Sequence, residues 1–248
     1  MNLVREGVDY DRVLVTGNTS IDMLQWATKQ GQGFGAGLDE LAAMDQPEIV
    51  LVTAHRRENW GQGLANIAGS VLYLATKYPK TQFVVPMHPN PIAREPMVAA
   101  LSDLANVFLV EPRDYSSFAR LMAASRVILT DSGGIQEEAP ALGTPVVVAR
   151  ESTERQEGVE SGTLVLVGTD VDKIIAEVSL LLDNDVEHAG RVARPNPYGD
   201  GQASARIVAA LDNIFYGGPA PVSYEGTELR SAVGRRLGLA DFELAGAR

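Results

Sequence analysis

Short apolar runs rich in β-branched residues alternate along this chain with longer stretches of helical periodicity. Val13-Leu14-Val15, Ile49-Val50-Leu51-Val52, Phe83-Val84-Val85, Val107-Phe108-Leu109-Val110, Val127-Ile128-Leu129, Val146-Val147-Val148 and Leu164-Val165-Leu166-Val167 are too short and too uniformly apolar for half-solvated strands. Strands apolar on both faces belong to a parallel sheet covered by helices on either side. Between them, Leu64 to Tyr78 places Leu64, Ile67, Val71 and Leu74 on one helical face. Ile21 to Lys29, Phe118 to Ala124, Ile135 to Leu142 and Val171 to Leu182 read as helices too. The Ile135 helix stops at Gly143-Thr144-Pro145, and Thr169 or Asp170 is placed to cap the Val171 helix. Strand, helix, strand, helix in this order predicts a doubly wound α/β domain over residues 1–216.

Two segments break the rhythm. Gly31 to Gly37 is a glycine-rich run, but it follows a helix and not a strand. It therefore lacks the strand-to-helix setting in which such glycines hold a dinucleotide, and it reads as a flexible connection. At Gly217-Gly218-Pro219-Ala220-Pro221 helical structure must stop. Residues 217–248 are expected to be a loosely attached tail, polar apart from a basic amphipathic stretch from Leu229 to Leu239.

Composition narrows the chemistry. The 248 residues contain no cysteine, which removes disulfides, thiol catalysis and cysteine zinc sites, and three histidines make a His-rich metal centre a poor reading. No metal and no cofactor are expected. The net charge of −11 repels a polyphosphate backbone and argues against general nucleic-acid binding. Mean hydropathy near zero, with no apolar run of membrane-spanning length, predicts a protein with no membrane segment. Met1 to Gly7 lacks the layout of a signal peptide, so a cytoplasmic protein is the expectation.

In a doubly wound sheet, ligands lie at the carboxyl ends of the strands. Thr53-Ala54-His55-Arg56-Arg57-Glu58-Asn59 follows one strand directly, joining an imidazole and two guanidiniums in one loop. Cationic groups at a strand end suit a phosphate; a solvated charge run is the alternative. Thr130-Asp131-Ser132-Gly133-Gly134-Ile135-Gln136-Glu137-Glu138 follows another strand. Gly133-Gly134 permits close backbone approach, Ser132 offers a hydroxyl, and Glu138, one turn into the helix, can reach a pair of sugar hydroxyls. An ordinary Ser cap with turn glycines is the alternative here. Together the loops predict a nucleotide or nucleotide-sugar site.

These motifs occur in order with Val15-Thr16-Gly17-Asn18-Thr19, His88-Pro89-Asn90-Pro91, Glu111-Pro112 before Asp114-Tyr115, Thr153-Glu154-Arg155 with Glu157-Gly158-Val159-Glu160, and Asn196-Pro197-Tyr198-Gly199-Asp200-Gly201. The set, from about Asp11 to Phe215, closely resembles the bacterial non-hydrolysing UDP-N-acetylglucosamine 2-epimerases. The resemblance implies one Rossmann-like half, the C-terminal one, of a GT-B-type fold whose two halves face each other across a cleft. It further implies interconversion of UDP-N-acetylglucosamine and UDP-N-acetylmannosamine, by anti elimination and re-addition of UDP, in polysaccharide biosynthesis. His55 would hold the diphosphate and stabilise the leaving group, with Ser132, Gly133 and Gly134 beside it. Glu138 would hold the ribose, and Phe118 would lie beside the uracil. Arg56 and His88 match residues that contact a second, allosteric UDP-N-acetylglucosamine. The acidic residues thought to move the C2 proton lie in the half not matched here, so the chain alone is expected to be inactive or nearly so, and the full-length protein a homodimer. A non-catalytic UDP-binding module and a hydrolysing relative that releases N-acetylmannosamine share this cradle and stand as alternatives. Gln156 and Arg113 depart from the pattern, where a proline and an apolar residue are common.

Overall fold

The computed structural model describes residues 2–9 and 12–224. Six strands, β1 (Ile49–Thr53), β2 (Gln82–Pro86), β3 (Val107–Val110), β4 (Val127–Thr130), β5 (Val146–Val148) and β6 (Leu164–Leu166), form one sheet. Every pairing is parallel and the order is β3-β2-β1-β4-β5-β6. This is the doubly wound arrangement, with the direction of winding reversing between β1 and β4. Alternation along the strands feeds two cores. Val50, Val52, Phe83, Val85, Val127, Leu129 and Val147 face one way, and Ile49, Leu51, Val84, Ile128, Val146 and Val148 face the other.

The first face is covered by α4 (Gln62–Lys77), α5 (Pro91–Leu101) and α9 (Val171–Asp183). Leu64, Ile67, Val71 and Leu74 of α4 are all fully buried, as the helical spacing predicts. Asp170, one of the two candidate caps, accepts the Lys173 N–H at 3.0 Å and starts α9. The second face is covered by α2 (Thr19–Ala27), α3 (Asp39–Ala43), α6 (Tyr115–Ala124) and α7 (Gly133–Glu138), the last continuing as a single 3-10 turn to Leu142. Near the chain start lies α1 (Asn2–Arg5), and α8 (Gln156–Ser161), α10 (Asp185–Val192) and α11 (Ala203–Tyr216) complete the helices. Among the described residues, no helix is long and apolar enough to cross a membrane.

One expected strand is absent. Val13-Leu14-Val15 is irregular, and Val15 is half exposed. Its backbone is satisfied by the far end of the described chain: Val15 N–H donates to Ser223 Oγ and Tyr224 N–H to the Val15 carbonyl. Branched aliphatics make a strand only where a neighbouring strand offers its ladder, and here none does. Ser223 is buried, and the Tyr224 hydroxyl donates to the Asn196 carbonyl at 2.6 Å. The first residues after Gly217 thus return to the body, whereas the basic Leu229–Leu239 stretch lies outside the described residues.

The glycine-rich connection is neither helix nor strand, but it is pinned. Arg120 donates to the carbonyls of Gln30 and Gly33, and Arg113 to that of Ala36. Phe34 packs against the second core.

Candidate functional site

The winding reverses between β1 and β4, and both singled-out loops leave the sheet at the carboxyl ends of those strands, where such a fold opens a crevice. The floor is made by two threonines: Thr53 Oγ1 and Thr130 Oγ1 share a hydrogen bond at 2.6 Å, and Thr130 Oγ1 also accepts the Ser132 N–H at 2.9 Å. These are the last residues of β1 and β4 and lie in register.

Asp131 couples the two loops. It is fully buried, and its Oδ2 accepts the His55 N–H at 2.9 Å, the Arg56 N–H at 2.8 Å and Asn59 Nδ2 at 3.0 Å. Its Oδ1 lies 3.5 Å from His55 Nδ1. A buried carboxylate is tolerable only when hydrogen-bond donors surround it, and here the donors come from the opposite loop. Asn59 is buried as well and donates to the Ala149 carbonyl after β5, adding a third strand end. Sequence reading passed over Asp131 and Asn59, although both stand inside the quoted motifs. Their burial and convergence are tertiary facts.

His55 is part-exposed and stacks on His88, with ring centroids 5.3 Å apart and planes within 4° of parallel. Burial pulls its pKa below the ordinary histidine value. The Asp131 charge opposes this, while His88 and Arg56 reinforce it. His88 is ordered by its loop, since its Nδ1 accepts the Asn90 N–H at 3.1 Å. Arg56 is half-buried at the same turn. The structure therefore brings both residues of the expected second ligand position to the flank of His55.

Ser132 occupies the N-cap position of α7, yet its side chain makes no capping bond. The Ser132 hydroxyl therefore does not serve α7 as a cap in this structure. Gly133 is buried, and a Cβ there would stand 3.1 Å from the Arg155 guanidinium carbon. Arg155 thus lies over the glycine turn, held by Glu137 through two nitrogens at 2.9 Å each. Asn18 Nδ2 donates to the other Glu137 oxygen at 2.6 Å. Glu137 is consequently a bracket that fixes a cation above Gly133. Arg155 was legible only as part of a motif; its distance from residue 133 along the chain hides the contact. Below it, the buried Gln136 donates to the Ser132 carbonyl and accepts from Thr153 Oγ1 at 2.6 Å.

Glu138 is half-buried at the end of α7, where its Oε1 accepts the Tyr115 hydroxyl at 3.1 Å. Burial raises its pKa above the usual carboxylate value, against the lowering effect of Tyr115. Phe118, one turn beyond Tyr115 on α6, is half-buried against the second core. Tyr115 thus ties Glu138 at the end of α7 to α6, the helix that carries Phe118.

The clasp between residues 196–201 and the segment before α2 explains another motif. Asn18 N–H donates to the Tyr198 carbonyl at 2.8 Å, and a Cβ on Gly199 (φ +153°) would stand 3.2 Å from the Asn18 nitrogen. Asn18, the partner of Glu137, is thereby carried to the crevice.

Known proteins resemble this chain in sequence and fold. The profile of the UDP-N-acetylglucosamine 2-epimerase family matches residues 1–212. The UDP-N-acetylglucosamine 2-epimerase of Escherichia coli (strain K12) is 46% identical over 217 residues, 86% of this chain and 58% of that protein. A structure of the Neisseria meningitidis UDP-GlcNAc 2-epimerase bound to UDP-GlcNAc superposes with a TM-score of 0.73 at 44% identity, covering 85% of this chain and 58% of that one. The S. aureus protein MnaA, solved with UDP, gives a TM-score of 0.79 at 37% identity, covering 89% of this chain and 60% of that one. The chain thus spans a little under three-fifths of the curated relative's length. On the crevice at the winding reversal, the ordered motifs that line it and the match over most of its residues, this chain belongs to the UDP-N-acetylglucosamine 2-epimerase family.

Proposed function

We propose that this chain supplies the UDP-holding Rossmann-like half of a UDP-N-acetylglucosamine 2-epimerase. The observation that carries the reading is the joining, through buried Asp131, of the His55 loop to the Ser132-Gly133-Gly134 turn that opens the helix bearing Glu138. On this reading the diphosphate lies against His55, the Ser132 hydroxyl and the exposed backbone of Gly134, with the Arg155 guanidinium as a further cation. The ribose hydroxyls donate to Glu138, and the uracil lies along Phe118. Such a grip stabilises the negative charge that develops on departing UDP, which is its contribution to an elimination and re-addition reaction. A second nucleotide sugar at Arg56 and His88 would touch the same imidazole stack and so bear directly on the leaving-group contact.

Calorimetric titration with UDP tests the reading. Removal of one charge-assisted contact costs about 1.5–3 kcal/mol, so His55→Ala is expected to weaken UDP roughly ten- to a hundredfold. Equal affinities for the two proteins would remove His55 from the site.

A further inference from the structure

Asp131 does more than fasten two loops, because its second oxygen faces an imidazole. Oδ2 is occupied by the amides of His55 and Arg56 and by Asn59. Oδ1 lies 3.2 Å from the His55 amide and 3.5 Å from His55 Nδ1. A carboxylate beside one ring nitrogen draws the proton of a neutral imidazole to that nitrogen and leaves the other as a bare acceptor.

We propose that Asp131 is a positioning residue that keeps the His55 proton on Nδ1, so that Nε2 must take up a second proton when a diphosphate binds. The inference rests on the nucleotide reading of the crevice. A phosphate oxygen only accepts hydrogen bonds, and so does an unprotonated Nε2; the two repel until a proton comes between them. The groups facing the ring set when that proton arrives. His88 stacked on it and Arg56 beside it disfavour the cation, as does burial, while Asp131 and Glu58 favour it. Their balance keeps the free imidazole below its ordinary value and neutral at neutral pH. The ligand's charge then tips it. Because the bound pKa exceeds the free one, affinity is greatest at low pH within this window and falls about tenfold per pH unit as pH rises between the two values.

Two measurements test the proposal. Ring-nitrogen NMR of the ligand-free protein above the histidine titration should show His55 as the Nδ1–H tautomer. In Asp131→Asn, whose carboxamide retains the shape and can donate to Nδ1, the proton should move to Nε2. Calorimetry with UDP-N-acetylglucosamine, a diphosphate diester with no titrating proton near neutrality, should show uptake of about one proton per ligand at about pH 7.5 when repeated in buffers of different ionisation heat. Asp131→Asn should bind with uptake close to zero. An Nε2–H tautomer in the native protein, or binding without proton uptake, overturns the proposal. If the nucleotide sugar does not bind at all, the reading of the crevice fails, and the tautomer spectrum alone decides the role of Asp131.

Discussion

Glu138 and Glu137 are adjacent carboxylates with different duties, and the difference comes from their neighbours. Glu137 accepts from Arg155 and Asn18 and is used up in holding them. Glu138 has one hydroxyl partner, Tyr115, leaving acceptor capacity for a ribose. If it reads both ribose hydroxyls, Glu138→Gln is expected to weaken UDP by about tenfold while leaving pyrophosphate binding nearly unchanged, since one acceptor oxygen becomes a donor. Parallel loss of both ligands in the titration would assign Glu138 to loop support. The pH sense follows from its raised pKa. Only the ionised carboxylate accepts from both hydroxyls, so affinity for UDP-N-acetylglucosamine should drop as pH falls through a value above the ordinary 4.5. In Glu138→Gln that acid limb should disappear from the profile of affinity against pH.

At the scale of elements, the site depends on segments that contain no ligand-facing group. Strand β6 and helix α8 meet at Gly158, where a Cβ would stand 2.4 Å from Leu164 Cδ1 and 2.7 Å from the Tyr198 hydroxyl. That hydroxyl accepts the Gly158 N–H at 3.0 Å and donates to the Arg155 carbonyl at 3.2 Å. Gly158→Ala is therefore expected to destabilise the fold by about 1–3 kcal/mol, the usual cost of overpacking, read as a lower midpoint in urea. Tyr198→Phe removes the hydroxyl without adding bulk. It should weaken UDP through Arg155 more than it lowers the midpoint, a contrast that separates positioning from stability. Helix α5 illustrates an element that periodicity alone did not reveal. Its start is ordinary, with Asn90 accepting the Ile92 N–H and Pro91 in the first turn. Pro96 then interrupts the helix interior, a strong signal against helix, yet Ala93, Met97 and Leu101 are all buried beneath it. Burial of that face outweighs the hydrogen bond Pro96 cannot make.

For the whole molecule, the carboxylates at the two strand-end loops have their duties on the proposed reading: Asp131 holds amides, Glu137 holds Arg155, and Glu138 takes the ribose. Moving a proton at C2 needs an acid and a base within reach on opposite faces of the sugar. This chain is accordingly expected to bind UDP-N-acetylglucosamine without epimerising it. Proton NMR in D2O checks this, and deuterium at C2 with formation of the manno epimer at ordinary enzyme rates would refute it. Exposed apolar side chains carry a separate prediction. Val208, Ile214 and Phe215 of α11 are each about two-thirds exposed or more, and Trp26 of α2 more than half. Surfaces of that kind favour association, so sedimentation should show the chain self-associating as its concentration rises.

Much of this protein is decided locally. Uniformly apolar β-branched runs can be stable only as strands covered on both faces, and helical spacing between them dictates parallel winding, so β1 to β6 and α4 were legible from order and period. The position of the His55 and Ser132–Gly134 loops just beyond the ends of β1 and β4 was legible too, because a strand end is where such a sheet opens. Tertiary structure decided what a one-dimensional pattern cannot carry. Val13 to Val15 had the composition of a strand and no ladder to join. Asp131 and Asn59 are unremarkable polar residues until folding buries them and aims the donors of another loop at them. Arg155 reaches Gly133 only because β5 and β4 are neighbours. Propensity acts between residues close along the chain, whereas burial and convergence act between residues close in space.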